Sequence, residues 1–300
     1  MKLVSESDII CSSLDATIYS ITHALDKDDY STRIDKIYRG CDSEILCCSG
    51  SEKYIVGGSF NGDILLWQRE ESSVYDKNEV PKKIKLFEED TIRPVAIWHA
   101  EFISDSVFCV ATSESKLKFF TVDEFGEFSC THSVELDDEK ISYMLYEHER
   151  LMMCTNQGAI YEFDSEKGAL RQITSINGCG FSCMAIKPEK NYVAAADFNT
   201  SIKIYDLRTP DFPSGHFVGH TDIVSDMKFW GDDYFLSGGN DGILRLWDAR
   251  ITVDCVSLAE DQAHFHKNDV SLSSLLTLND KCCLTCGYDG KINFYQMSSY

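Results

Sequence analysis

The pattern from which the fold can be inferred is clearest at Phe235-Leu236-Ser237-Gly238-Gly239-Asn240-Asp241-Gly242-Ile243-Leu244-Arg245-Leu246-Trp247. An apolar pair precedes small residues, a polar turn, and an alternating segment that ends in an aromatic residue. Small residues allow a neighbouring strand to approach, and the Gly after Asn-Asp supplies the positive φ that a tight turn needs. The stretch therefore predicts a β-hairpin.

The same pattern occurs seven times along the chain. Ile55–Trp67 is a second clear copy, and weaker copies end at Ile21, Phe120, Phe163, Tyr205 and Tyr295. The end points 21, 67, 120, 163, 205, 247 and 295 are 46, 53, 43, 42, 42 and 48 residues apart, close to the roughly 40–45 residues of a four-stranded propeller blade. The intervening segments hold further short strands, such as Lys83–Phe87 and Val224–Phe229. We therefore expect an all-β, seven-bladed β-propeller, formed as a single domain by residues 1–300.

The sixth copy carries additional residues at fixed positions. Gly219-His220 precedes the hairpin, Ser237 and Asp241 lie within it, and Trp247-Asp248 closes it. With these residues the chain resembles the WD-repeat propeller family. The resemblance implies a buried network of His220, Ser237, Asp241 and Trp247 that braces the blade. His264 or His266 lies at the equivalent position before the seventh hairpin. In the other copies the turn-acid position holds Asp15, Asn61, Glu114, Gln157, Asn199 and Asp289.

Composition limits the class of protein. The chain is 43% hydrophobic with 5 prolines, and it has no apolar run of about eighteen residues that could cross a bilayer, so we expect a soluble globular protein without membrane insertion. The net charge of −21 disfavours direct nucleic-acid binding and favours partners with basic surfaces. The 13 cysteines are an odd number, and no signal peptide is recognisable, so we expect the cytoplasm, the nucleus, or both.

The sequence has no motif for a catalytic or cofactor site. Glycine-rich phosphate loops, HExxH and GxSxG are all absent. Two cysteine groups, Cys179–Cys183 and Cys282–Cys286, have partial metal-site spacing, but both fall on predicted strands, where successive side chains point to opposite faces. We therefore expect no catalytic residue, no metal and no cofactor, and hence no enzyme.

The family resemblance places a binding surface at one end of the blades. There, the turns between second and third strands lie with the segments that lead into the first strands, and the residue before each turn acid is presented. These positions include four bulky apolar residues, Leu14, Phe60, Phe198 and Tyr288, with Asp222 among the acidic neighbours. We expect them to bind other proteins within a multi-subunit complex, including basic peptides. The alternative is that these side chains fold inward over their own blades.

The seventh blade is one strand short in the sequence. Its pattern stops at Tyr295-Gln296-Met297, and the residues before Ile9 allow one short strand at most. Either the seventh blade has three strands, or a partner donates the fourth by β-augmentation.

Three more specific functions remain open for a non-catalytic scaffold. Trp247–Arg250 and Tyr205–Arg208 resemble the WDxR boxes of substrate receptors in cullin ubiquitin ligases, in which Arg208 and Arg250 would contact the ligase adaptor; alternatively, these arginines pair with acids of the neighbouring blade. The chain also resembles WD-repeat adaptors of the cytosolic iron-sulfur protein assembly targeting complex, at Val122–Glu124, Glu127–Cys130, Ser133-Val134 and Phe229–Tyr234. The acidic composition alone favours a chaperone or reader of basic proteins.

Overall fold

The computed structural model describes 27 β-strands and one short 3-10 helix. The described residues are 1–5, 8–26, 29–69, 80–87, 93–136, 139–175, 178–251, 257, 259–264, 271–279 and 281–296. Residue contacts divide the chain into two compact units, Met1–Ile141 and Ser142–Tyr300.

The first unit contains three antiparallel sheets of four strands. Each strand pairs with the next along the chain, so the sheets are β1–β4, β5–β8 and β9–β12. The strands are β1 (Lys2–Leu3), β2 (Asp8–Ser12), β3 (Ile18–Asp26), β4 (Asp29–Tyr38), β5 (Ile45–Gly50), β6 (Tyr54–Ser59), β7 (Asp63–Gln68), β8 (Lys82–Lys85), β9 (Ile97–Ser104), β10 (Val107–Thr112), β11 (Lys116–Val122) and β12 (Phe128–Glu135).

The second unit contains the remaining four sheets, β13–β16, β17–β20, β21–β24 and β25–β27. The 3-10 helix, Pro188–Lys190, joins β17 to β18. The strands are β13 (Ile141–Glu147), β14 (Arg150–Thr155), β15 (Ala159–Asp164), β16 (Ala169–Ser175), β17 (Phe181–Lys187), β18 (Tyr192–Asp197), β19 (Ile202–Asp206), β20 (Pro213–Phe217), β21 (Val224–Trp230), β22 (Tyr234–Gly239), β23 (Ile243–Asp248), β24 (Ala259–Gln262), β25 (Leu272–Asn279), β26 (Cys282–Gly287) and β27 (Ile292–Gln296).

All seven predicted hairpins are present, each as the second and third strands of its own sheet. The seven predicted end points all lie in third strands. The expected all-β, seven-bladed β-propeller is therefore confirmed, with each sheet forming one blade. Of the two outer strands quoted from the sequence, Lys83–Phe87 is observed as Lys82–Lys85, and Val224–Phe229 continues to Trp230.

The small residues of the second strands have the role that the pattern predicts. A Cβ added at Gly58 would lie 2.4 Å from Ile97 Cγ2, and one added at Gly238 would lie 2.5 Å from Leu272 Cδ1. Each contact joins a second strand to the first strand of the following blade within the same unit. Only glycine leaves room for this approach, since real Cβ atoms do not come so close.

The seventh sheet has three strands in the part of the chain that the structure describes. Its third strand, β27, is half-buried to exposed along its whole length, whereas β23 in the sixth blade is almost wholly buried. The N-terminal strand β1 pairs with β2, through Lys2 opposite Ile10 and Leu3 opposite Ile9, and thus extends the first sheet. Both alternatives for the seventh blade stay open.

Candidate functional site

In five blades, the turn between the second and third strands lies beside the segment that leads into the first strand. The residue before the turn acid donates its backbone N–H to a carbonyl of that segment. The pairs are Phe60 to Glu44 (3.0 Å), Ser113 to Ala96 (2.9 Å), Phe198 to Gly180 (3.0 Å), Asn240 to Ile223 (2.8 Å) and Tyr288 to Ser271 (3.1 Å). The bond shows that the turn and the incoming segment lie at the same end of the blade. We call this end the turn end.

The predicted binding residues are exposed at the turn end. Leu14 and Phe60 in the first unit, and Phe198 and Tyr288 in the second, have 40% to 58% of their surface in water. At that exposure they do not fold inward over their own blades. Asp222 is also exposed, and its Oδ1 accepts the backbone N–H of Ile223 at 2.7 Å. Within each unit, these turns therefore present apolar side chains to solvent.

Two further exposed aromatic residues were missed from the sequence, Phe87 and Trp98. Phe87 lies in the connection between β8 and β9, where the neighbouring Leu86 donates its N–H to the carbonyl of Gly62 at 2.8 Å. That bond holds the connection against the turn that carries Phe60. Trp98 is the second residue of β9 and so lies near the same end. The turn end of the first unit thus carries more aromatic surface than the repeat pattern predicted.

Four residues of the sixth blade form a buried chain of hydrogen bonds. His220 Nδ1 lies 2.9 Å from Asp241 Oδ2, and His220 Nε2 lies 2.7 Å from Ser237 Oγ. Trp247 Nε1 donates to the same Ser237 Oγ at 2.7 Å. If Asp241 accepts Nδ1–H of a neutral ring, Nε2 accepts the Ser237 hydroxyl proton. Burial would raise the pKa of Asp241, but hydrogen bonds from His220 and from two backbone N–H groups outweigh it and lower that pKa.

A second network of this kind lies in the seventh blade. His264 Nδ1 is 2.8 Å from Asp289 Oδ1, and His264 Nε2 is 2.8 Å from Thr285 Oγ1. His264 therefore takes the position that the sequence left open between two histidines; His266 lies outside the described residues. Tyr295 stands where the sixth blade has tryptophan, and burial raises its pKa to about 12.

The Asp–His–Ser order of the sixth blade is also that of a hydrolytic triad. Ser237 is completely buried, however, and its Oγ already accepts a hydrogen bond from Trp247. Thr285 is equally buried in the seventh blade. Neither hydroxyl is open to solvent, and both networks brace strands.

In the first blade the turn acid is Asp15, and its hydrogen bonds come from nearby residues instead of a histidine. Asp15 Oδ1 accepts the backbone N–H of Thr17 at 3.1 Å, and Asp15 Oδ2 accepts the Tyr19 hydroxyl at 2.6 Å. Burial would raise the pKa of Asp15, but the hydrogen bonds outweigh it and lower that pKa. A local carboxylate turn thus replaces the longer network.

The two arginines of the WDxR boxes are exposed and held by their own boxes. Arg208 donates to both carboxylate oxygens of Asp206, and Arg250 donates to Asp248. Arg250 also lies 3.5 Å from Asp233 of the same blade. Hydrogen bonds from Arg208 lower the pKa of Asp206 to about 2. Among the residues that the structure describes, both arginines pair with acids of their own blade, so the alternative of a pairing with the neighbouring blade is wrong.

Most cysteines of the two groups with partial metal-site spacing are buried. Cys183, Cys282, Cys283 and Cys286 are buried, and burial raises the pKa of Cys283 to about 12, so its thiol is protonated at neutral pH. Among the described residues, no group of three or more His, Cys, Asp or Glu side chains is placed to hold a metal ion. Within the same part of the chain, no helix has the length and apolar character of a membrane span.

Comparisons with known proteins agree with this architecture. The family model for the WD domain, G-beta repeat, matches residues 212–248. The WD40 β-propeller domain of Doa1 resembles 99% of this chain over 92% of its own length, with a TM-score of 0.73 and 12% sequence identity. At that identity the likeness shows the fold alone.

Similarity to curated proteins is partial. The E3 ubiquitin-protein ligase COP1 of Pisum sativum is 35% identical over 98 residues, which are 32% of this chain and 13% of that protein. The THO complex subunit 6 homolog of Danio rerio is 33% identical over 88 residues, 28% of this chain and 27% of that protein. The guanine nucleotide-binding protein subunit beta of Saccharomyces cerevisiae is 26% identical over 103 residues, 33% of this chain and 24% of that protein. The chain thus spans 13% to 27% of the length of these relatives.

Proposed function

We propose that this chain, a WD-repeat β-propeller with a WD40 repeat at residues 212–248, is a non-catalytic scaffold that binds other proteins within a multi-subunit complex. In this proposal residues 1–300 form a single propeller domain and work in the cytoplasm, the nucleus, or both. The observation that carries it is the set of exposed apolar side chains at the turn end, Leu14, Phe60, Phe198 and Tyr288.

Such side chains suit protein recognition for a physical reason. Large apolar groups in water favour burial at an interface, and a few aromatic residues usually supply most of the binding free energy. The backbone N–H groups of Phe60 and Tyr288 are hydrogen-bonded at 3.0 and 3.1 Å, so the backbone that carries both side chains is ordered before a partner arrives. The exposed Asp222 and the net charge of −21 favour partners with basic segments.

The test is affinity purification from native cells with quantitative mass spectrometry of the bound proteins. The double substitution Phe60→Ala and Tyr288→Ala should remove the main partners and leave the melting temperature nearly unchanged, because both side chains are exposed. Phe212→Ala is a matched control, since Phe212 is an exposed aromatic residue in the connection between β19 and β20. A folded double variant that retains every partner would contradict the proposal.

A finer version is an adaptor role in cytosolic iron-sulfur protein assembly. It is supported by the resemblance to the adaptors of that complex at Val122–Glu124, Glu127–Cys130, Ser133-Val134 and Phe229–Tyr234. In this role the chain would carry no cluster itself, which fits the burial of Cys183 and Cys283. Recovery of iron-sulfur assembly factors in the purification would support it, and their absence from a purification that retains other partners would refute it.

A second candidate is a substrate receptor of a cullin-type ubiquitin ligase. It is favoured by the exposure and fixed direction of Arg208 and Arg250, each held by the aspartate of its own box. COP1, one partial relative, is named an E3 ubiquitin-protein ligase. In this case Arg208→Ala with Arg250→Ala should remove cullin-ligase subunits from the purification, whereas the Phe60 and Tyr288 variant should lose substrates only.

The third candidate, a chaperone or reader of basic proteins, is favoured by the net charge alone. Complexes that depend on charge weaken steeply as salt rises, whereas complexes anchored by apolar contacts do not. Purification at low and at high salt separates this candidate from the other two.

A further inference from the structure

A groove lies at the opposite end of the second blade from Phe60. It encloses about 280 Å³. Its lining includes Tyr54, Leu66, Trp67, Val80, Lys82 and Phe125. Tyr54 is the first residue of β6, whereas Phe60 follows the last, so the length of that strand separates the groove from the turn end. Small-molecule sites usually enclose roughly 300–1,000 Å³, so this groove suits one or two side chains of a partner.

Phe125 is held in the lining by a rigid turn between β11 and β12. Asp123 Oδ1 accepts the backbone N–H groups of Phe125 and Glu127, each at 2.9 Å. Gly126 has a φ of 75°, a conformation that glycine adopts without strain. The turn leaves 77% of the Phe125 surface in water, and Val80 is 88% exposed. Because this turn is already ordered, contacts with Phe125 cost little conformational entropy on binding.

The turn that carries Phe125 is acidic. Asp123, Glu124 and Glu127 are exposed in the same turn. Lys82, in the lining, pairs with Glu127. The turn carries three carboxylates and no basic residue, so its charge is negative. Exposed apolar side chains beside negative charge are complementary to a segment in which a bulky apolar residue adjoins Lys or Arg.

We infer that this groove is a second docking site, separate from the turn end, for an extended protein segment with Leu, Met or Phe next to Lys or Arg. The apolar side chain of that segment is buried against Phe125 and Val80. Its basic side chain pairs with Glu124, an exposed carboxylate of the same turn. Phe125 contributes most, since exposed aromatic residues that become fully buried dominate interface energetics.

Phage-displayed random dodecapeptides selected on the intact protein provide the probe. The enriched peptides should share an apolar residue beside Lys or Arg, and a synthetic peptide of that consensus should bind Phe125→Ser about 30-fold more weakly or worse. Glu124→Lys changes an exposed charge only, and should weaken the same peptide while making its binding less sensitive to salt.

Two control variants make the result decisive. Phe212→Ser removes an aromatic side chain that is 81% exposed and outside the groove, and should leave the affinity unchanged. Phe60→Ala tests the turn end and should also leave it unchanged. The inference is overturned if the selection yields no apolar-basic consensus, or if the selected peptides bind Phe125→Ser as tightly as the original protein. Loss of binding on Phe60→Ala alone would assign the peptides to the turn end and would also overturn it.

Discussion

The hydrogen-bond network of the sixth blade predicts a large effect from the loss of one oxygen atom. Ser237 Oγ lies 2.7 Å from His220 Nε2 and 2.7 Å from Trp247 Nε1, and all three residues are buried. Ser237→Ala removes that oxygen and leaves one acceptor and one donor without a partner. No water replaces it easily, because Ser237 has no exposed surface.

The size of the effect follows from the two unpaired groups. A buried polar group without a partner costs about 1–3 kcal/mol, so the two groups left by Ser237→Ala should lower the free energy of unfolding by about 2–6 kcal/mol. With an unfolding entropy of about 2 cal/mol/K per residue over this chain length, the melting temperature should fall by roughly 3–10 °C. Ser237→Thr is the matched variant, since Thr285 makes the equivalent bond in the seventh blade. It should retain most of the stability.

Urea titration followed by tryptophan fluorescence gives the free energy of unfolding of both variants. Calorimetry gives their melting temperatures. Hydrogen exchange should also show the loss of protection first in β21 to β23, the strands that this network joins. The reasoning is refuted if Ser237→Ala melts within 1 °C of the original protein. It is equally refuted if Ser237→Thr is as unstable as Ser237→Ala, because the lost hydrogen bonds would then not be the cause.

Further predictions concern acid, a buried carboxylate and a glycine. The pKa of Asp241 is lowered in the folded state. Its stabilising contribution is therefore present above the unfolded pKa and is lost as pH falls through the folded pKa. Asp241→Asn should flatten the loss of stability between about pH 5 and pH 2 in urea titrations. Asp226 is buried and accepts bonds from Ser274 Oγ at 3.0 Å and from Leu275 N–H at 2.8 Å, so Asp226→Ala should cost about 3 kcal/mol or more by urea titration, while the exposed Asp222→Ala should cost less than about 0.5 kcal/mol. Gly58→Ala places a methyl group against Ile97 and should cost about 1–3 kcal/mol, with a favourable coupling to Ile97→Ala in a double-mutant cycle.

The fold was predictable because its signals are local and repeated. Each hairpin carries its own apolar alternation and turn residues, and a strand needs no distant contact to show a period of two. Gly62 and Gly242 do have positive φ, at 82° and 71°, as the turn pattern requires. The repeat spacing then places one hairpin in each blade. Strand boundaries were less accurate, as Lys82–Lys85 shows, because strand ends depend on partner hydrogen bonds.

The position of the candidate site was predicted from the sequence, but the exposure of its side chains and its additional aromatic residues were not. The repeat pattern located Leu14, Phe60, Phe198 and Tyr288, but their exposure became known only from the structure. Trp98 could have been found from the sequence, since it follows Ile97, and neighbouring residues of a strand point to opposite faces. Ile97 is completely buried and Trp98 is exposed, as that alternation requires.

The amino-acid pattern was sufficient to establish the strand order, the seven blades and the positions of the turn residues, because these depend on neighbours a few residues apart. Packing between separate segments selected His264 as the partner of Asp289. It also formed the groove between Tyr54 and Phe125, which lie more than one blade apart along the chain. Such contacts depend on the directions in which side chains meet after the sheets have packed, and no repeat in a single sequence specifies those directions.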